Sequence, residues 1–122
     1  MDTEKKFENC IIYCTVQSDF AASLISTTLV EEKLAACVSI IHNVISVYSW
    51  EGMSQTDNEL ILMIKTQKKL FDDVKNRILE LHDAHLPEII AVPVTMGLDS
   101  YQQWIVDETT RGPKSDEQNG EG

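Results

Sequence analysis

Residues 31–52 read EEKLAACVSIIHNVISVYSWEG, and the fold depends on what pairs with the long strand in this stretch. A charged helix end passes through small residues into a long strand pattern at residues 37–50, which contains neither glycine nor proline. The polar pair His42 and Asn43 predicts a bulge or bend within that strand. A strand this long in so small a protein must curl or pair with something outside its own domain. The sequence therefore predicts assembly.

The composition limits the classes of function. The chain has 122 residues, of which 43% are hydrophobic, and this predicts a single globular domain. Its net charge of −10 argues against a nucleic-acid partner, which needs a basic face. No apolar run reaches the roughly 18 residues of a membrane span, and the N-terminus lacks an apolar signal core, so we expect a cytoplasmic protein without a membrane partner. Three cysteines do not indicate a disulfide framework.

The order of elements predicts the fold class. Residues 1–108 are expected to form one domain, and residues 109–122 a flexible, polar tail. The predicted order β-α-β-β-α-β, followed by a short C-terminal helix, is that of a ferredoxin-like split β-α-β sandwich with an antiparallel-rich sheet. The predicted elements are strands at 9–16, 37–50, 59–66 and 88–95, helices at 19–33, 67–82 and near Trp104, and a polar turn at 52–58.

One face of this sheet is predicted to lack a covering layer. Both long helices pack on the same face, so Val38, Ile40, Val47 and Ile61 cannot all be hidden by them. An exposed apolar sheet face favours self-association. Three sheets meeting around a threefold axis cover all such faces at once, which predicts a homotrimer.

Several short motifs, in order along residues 10–108, resemble the CutA family of divalent-cation tolerance proteins. The resemblance implies a trimer that binds copper or another divalent ion and takes part in the response to metal ions, with no enzymatic reaction and no cofactor needed for folding. The motifs are Leu34-Ala35-Ala36-Cys37, Tyr48-x-Trp50-x-Gly52, Ile64-Lys65-Thr66, His82, Pro87-Glu88-Ile89-Ile90 and Pro93-Val94.

The same resemblance implies metal ligands at Cys14 and His82. A thiolate and an imidazole suit copper and zinc. A second family histidine falls on Leu81, and the usual proline and tyrosine of the following loop are Asp83 and Ala84 here. Both residues also have a structural interpretation. Free cysteine is commonly a core residue, and histidine at a helix C-terminus is favoured by the helix dipole.

Two further pairs have alternative interpretations. Tyr48 and Trp50 lie on one strand face and form either a cleft wall or a subunit contact, where such residues are enriched. Lys65 and Glu88 form either part of a subunit cleft or a weak surface ion pair. An alternative function is a trimeric PII-like signalling or scaffold protein that binds a small anion through Lys65 or Lys68.

An enzymatic function has the least support in the sequence. The chain contains no phosphate-binding loop and no Ser-His-Asp order. Cys14 and His82 would have to meet in space to act as nucleophile and base.

Overall fold

The computed structural model describes residues 6–110 and contains a four-stranded sheet with the strand order β2-β3-β1-β4. All neighbouring strands are antiparallel. This arrangement confirms the predicted ferredoxin-like fold class. The elements are β1 (Asn9–Val16), α1 (Asp19–Glu31), β2 (Cys37–Trp50), β3 (Met53–Gln67), α2 (Phe71–Leu81, after a 3₁₀ turn at Lys68–Leu70), β4 (Ile89–Pro93) and α3 (Asp99–Thr109).

Local chemistry sets the ends of these elements. Ser18 has extended backbone angles, and its side chain accepts a hydrogen bond from the N–H of Ala21 at 3.1 Å, which caps α1 as expected. Pro93 is the last residue of β4, an edge strand, where its missing N–H costs no ladder hydrogen bond.

The core lies between the sheet and the helices α1 and α2. Side chains of β1 and β3 alternate between buried and partly exposed positions, and the buried set packs against both helices. Each fully buried Ile or Leu contributes roughly 1.5–3 kcal/mol to folding. The largest buried apolar side chains are Ile12, Val16, Ile25, Leu29, Leu62, Ile64, Val74 and Ile78.

The opposite side of the sheet, which we call the open face, carries apolar side chains outside this core cluster. Ile90 and Val92 on it are 56% and 42% exposed. Two of the residues predicted to lie there, Val38 and Ile40, instead pack against the core, so that part of the prediction was wrong. By strand register the open face includes Lys65 and the apolar residues Ile11, Tyr13, Ile41, Ile61, Met63, Ile90 and Val92.

The β2–β3 hairpin is longer than predicted. The polar stretch expected as a turn at 52–58 is the first half of β3, and the turn is only Glu51 and Gly52, with φ of +53° and +82°. Positive φ at both positions is the geometry of a type I′ hairpin turn. The predicted bulge is confirmed, because the register shifts between Ile41 and Val44 and Asn43 has φ +61°.

Helix α3 covers one end of the open face. Asn9 donates to the side-chain oxygen of Gln102 at 3.1 Å, and Gln67 donates to Thr109 at 2.9 Å. The helix ends at Thr109, one residue beyond the predicted domain boundary at 108. Of the tail predicted at 109–122, residues 111–122 lie outside the described residues. In the part of the chain that the structure describes, the helices are too short or too polar to cross a membrane.

Candidate functional site

A cleft of about 810 Å³ lies between the β2–β3 hairpin and the loop at residues 82–88. One wall comes from the hairpin where it extends past β1, since β1 pairs only with residues 60–67 of β3. The other wall comes from the loop and the end of β1. Its lining residues are Thr15, Gln17, Ser46, Val47, Tyr48, Ser49, Trp50, Gln55, Asp57, Glu59, His82, Ala84, Leu86, Pro87 and Glu88.

Strand register places the polar side chains of the hairpin on one side. Ser46 is paired with Asp57, and alternate residues of a strand share a face, so Tyr48 and Glu59 lie on the same side. Ser46 donates a hydrogen bond to Glu59 at 2.6 Å, and Gln17 donates to the second carboxylate oxygen at 2.9 Å. Neutral donors thus fix the Glu59 carboxylate at the mouth of the cleft.

Tyr48 is held by the next carboxylate along the hairpin. Its hydroxyl donates to Asp57 at 2.5 Å, and this hydrogen bond raises the pKa of the tyrosine hydroxyl because ionisation would place two negative charges together. The ring is therefore fixed in place with its hydroxyl protonated. Tyr48 and Trp50 both line the cleft, which agrees with the first interpretation of this pair and leaves the subunit contact a prediction.

His82 joins the loop to the sheet. Its Nε2 donates to the carbonyl oxygen of Thr15 at 2.8 Å, and its Nδ1 accepts the N–H of Ala84 at 3.1 Å. A carbonyl oxygen only accepts and a backbone N–H only donates, so these partners define the neutral tautomer with the proton on Nε2. Both ring nitrogens are therefore engaged within the chain.

Cys14 lies beside the same carbonyl but faces the core. Its side chain is fully buried, and Sγ lies 3.8 Å from the Thr15 oxygen. Burial, together with the nearby negative charge of Glu88, raises the pKa of the thiol to about 12. The structure thus brings Cys14 and His82 to the same backbone oxygen, with the thiol protonated near neutral pH.

These donors do not form a closed metal site within one chain. Across residues 6–110, no group of three or more His, Cys, Asp or Glu side chains is placed to hold a metal ion. His85, which follows His82 by three residues, is exposed and does not line the cleft. Two donors at most are therefore available near Thr15.

Lys65 lies on β3, whereas Glu88 lies in the loop before β4. Lys65 is on the open face, where its ammonium donates to Ser39 Oγ at 2.8 Å and lies 3.7 Å from Cys37 Sγ. Glu88 lines the cleft just before β4. Lys65 and Lys68 do not line the cleft, so they supply no counter-charge for an anion there.

Sequence reasoning did not identify the hairpin carboxylates. Gln55, Asp57 and Glu59 follow one another at a spacing of two, which is the period of a strand face. The two-residue spacing in the polar stretch after Gly52 therefore indicated a strand. We predicted a turn there because exposed hairpin strands have the polar composition of a loop.

Comparison with known proteins shows the family to which the sequence is similar. A family model described as CutA1 divalent ion tolerance protein matches residues 10–108. Protein CutA, chloroplastic, of Arabidopsis thaliana is 37% identical over 108 residues, which are 88% of this chain and 59% of that protein. The divalent-cation tolerance protein CutA of Thermus thermophilus is 39% identical over 99 residues, which are 81% of this chain and 96% of that protein.

Solved structures show the same likeness in three dimensions. The crystal structure of CutA1 from Oryza sativa superposes with a TM-score of 0.83 at 36% identity, covering 87% of this chain and 97% of that one. The family match at residues 10–108 includes every residue that lines the cleft. The chain belongs to the CutA1 family of divalent ion tolerance proteins.

Proposed function

We propose that this protein is a homotrimer that binds copper or another divalent ion reversibly and takes part in the response to such ions. The observation that carries the proposal is the family match over residues 10–108, whose relatives are named for tolerance of divalent cations. The ion is a ligand to which the protein responds, and the proposal assigns no catalytic step. Action in the cytoplasm stays a prediction, since one relative is named as chloroplastic.

The open face supports the trimer. Ile90 and Val92 lie beside partly exposed Tyr13 and Met63, which gives a contiguous apolar surface on one side of the sheet. Surfaces of this kind mark interaction sites. Helix α3 covers only the end near Asn9, so the remainder is available to a second copy.

Cys14 and His82 support metal binding, at a cost. Both side chains contact the carbonyl oxygen of Thr15, and their donor types suit copper and zinc. Binding requires the thiol of Cys14 to lose its proton against a raised pKa, and one ring nitrogen of His82 to release its partner. We therefore expect moderate affinity that increases with pH, because metal binding releases protons.

Competitive titration with a chelator tests the metal proposal. Anaerobic protein is titrated separately with Cu(I) and Zn(II), and aerobic protein with Cu(II), at pH 7 and pH 9. Cys14→Ala and His82→Ala are expected to weaken binding by at least about tenfold. The matched controls Cys10→Ala, another buried thiol on β1, and His85→Ala are expected to change it less than about twofold.

Equal effects of the two sets of variants, or unchanged affinity after removal of both Cys14 and His82, would remove these residues from the metal site. Failure of all three ions to bind the wild-type protein at either pH would contradict direct metal binding. The trimer is tested separately, by mass in solution.

A further inference from the structure

We propose that Lys65 of each copy forms an ion pair with Glu59 of a neighbouring copy across the open face. This inference rests on the proposed trimer and adds to it the residues that orient one copy against the next. Both side chains lie on the open face by strand register. Neither has an opposite charge beside it among the ion pairs found in residues 6–110.

Lys65 carries a positive charge into an otherwise apolar part of the open face. By register it lies between Cys37 and Ile11. Its half-buried ammonium donates to Ser39 Oγ at 2.8 Å, in the next row of the sheet. A second chain that covers this face removes water from the ammonium, and a buried charge without an opposite partner is strongly destabilising. The contact therefore requires a carboxylate close to Lys65.

Glu59 is the complementary charge farther along the same strand. Its half-buried carboxylate accepts hydrogen bonds from Ser46 and Gln17, which are both neutral. It precedes Lys65 by six residues of β3, which places the two residues about 20 Å apart along the strand. At this separation the two charges of one chain do not reach each other. A direct pair between these residues therefore joins two copies.

Threefold symmetry favours contact between opposite ends of the open face. In a cyclic trimer each contact is heterologous, so one patch of a copy meets a different patch of the next copy. The apolar residues Ile61 and Met63 separate the carboxylate end of the face from the Lys65 end. Joining opposite ends brings opposite charges together, whereas joining equal ends brings like charges together and is opposed by their repulsion.

Charge reversal tests the pairing. Trimer dissociation is followed by sedimentation velocity in the urea concentration that half-dissociates the wild-type protein. Lys65→Glu and Glu59→Lys are each expected to raise the dissociation concentration by at least about a hundredfold, because a like-charge contact replaces an ion pair. The double variant is expected to return to within about threefold of wild type, because the opposite charges are restored.

A control variant and a mixture separate this pairing from other effects of charge. Lys75→Glu makes the same charge change on α2, on the other side of the sheet, and is expected to have less than about twofold effect. Mixing the two single variants leaves all but one of the contacts in a mixed ring between opposite charges. We therefore expect the mixture to assemble at concentrations where each variant alone is dissociated. Circular dichroism of each dissociated variant checks that it is folded.

A wild-type trimer whose dissociation is unchanged by Lys65→Glu would overturn the pairing and leave the proposed trimer standing. Dissociation by either single variant without rescue in the double variant and in the mixture would also overturn it. Rescue of Lys65→Glu by Asp57→Lys or Glu88→Lys, but not by Glu59→Lys, would overturn the assignment of Glu59. A wild-type protein that is monomeric at every concentration would overturn the trimer and the pairing together.

Discussion

His82 Nε2 lies 2.8 Å from the carbonyl oxygen of Thr15, so the residue that follows α2 is bonded to the end of β1. The same ring accepts the N–H of Ala84 through Nδ1. One side chain thereby fixes both the start of the cleft loop and its position against the sheet. The other wall of the cleft is fixed independently, by hydrogen bonds within the hairpin.

Replacement of His82 by alanine is expected to destabilise the protein by about 1–3 kcal/mol, because it leaves a partly buried carbonyl and a backbone N–H without their partner. Urea unfolding at pH 7 measures the loss. His85→Ala is the control, and because His85 is exposed we expect a change within about 0.5 kcal/mol. Equal stability of the two variants would show that the His82 hydrogen bonds do not hold the loop.

Cys14 is expected to make the protein sensitive to alkali. Its thiol pKa is raised from 9.0 to about 12 in the folded chain, so between these values the folded state binds more protons than the unfolded state. Stability from this group is fully present below pH 9 and is lost as pH rises towards 12. At pH 10.5 the loss is about 2 kcal/mol, from 1.36 kcal/mol per pH unit.

Urea unfolding of wild type and Cys14→Ala across pH 7.5–10.5 checks this. The variant is expected to be less stable at pH 7.5, by about 1 kcal/mol for a small core deletion. Its deficit should shrink or reverse by pH 10.5, since it lacks the titrating thiol. A deficit that stays constant across the range would mean that Cys14 does not carry the shift.

The hairpin turn offers a stabilising change. Glu51 has φ +53°, an unfavourable value for a residue other than glycine, asparagine or aspartate, and it precedes Gly52 in a type I′ turn. Glu51→Asn creates the preferred Asn-Gly pair and is expected to add about 0.5–1 kcal/mol, measured as a rise in Tm.

Gly52→Ala is expected to destabilise the same turn. No atom lies within 4 Å of the added Cβ, so only the backbone at φ +82° opposes it, and we expect a loss of about 1–2 kcal/mol. A neutral result at both positions would contradict the turn geometry.

The sequence predicted β1 and the inner half of β3 because each is a short run of apolar, strand-favouring residues. It did not predict the outer half of β3, since a strand that projects past its neighbours has no buried face to mark it. The bulge at His42 and Asn43 was visible as two polar residues inside an apolar strand.

The candidate site was predicted only in part. Tyr48, Trp50, His82 and Glu88 were named from motifs, and all four line the cleft. The face of the sheet on which Val38 lies depends on the pairing register of β2. A strand that is apolar on both faces has no sequence pattern that specifies this register. The position of Lys65 away from the cleft likewise follows from register with Cys37 and Ile11.

The open face gives a prediction about assembly. Ile90→Asp places a charge in the proposed subunit contact and is expected to dissociate the oligomer, because a buried unpaired charge costs several kcal/mol. Phe20→Asp is the matched control, since Phe20 is 76% exposed on α1, away from the open face. Sedimentation velocity distinguishes the two, and dissociation by both variants, or by neither, would argue against this face as the contact.

The proposed trimer requires that copies of the same chain cover the open face. Light scattering coupled to size-exclusion chromatography of the wild-type protein measures the mass of this assembly. We predict a single species at three times the 13.8 kDa chain mass, stable on dilution. A species at 13.8 kDa under the same conditions would contradict the claim.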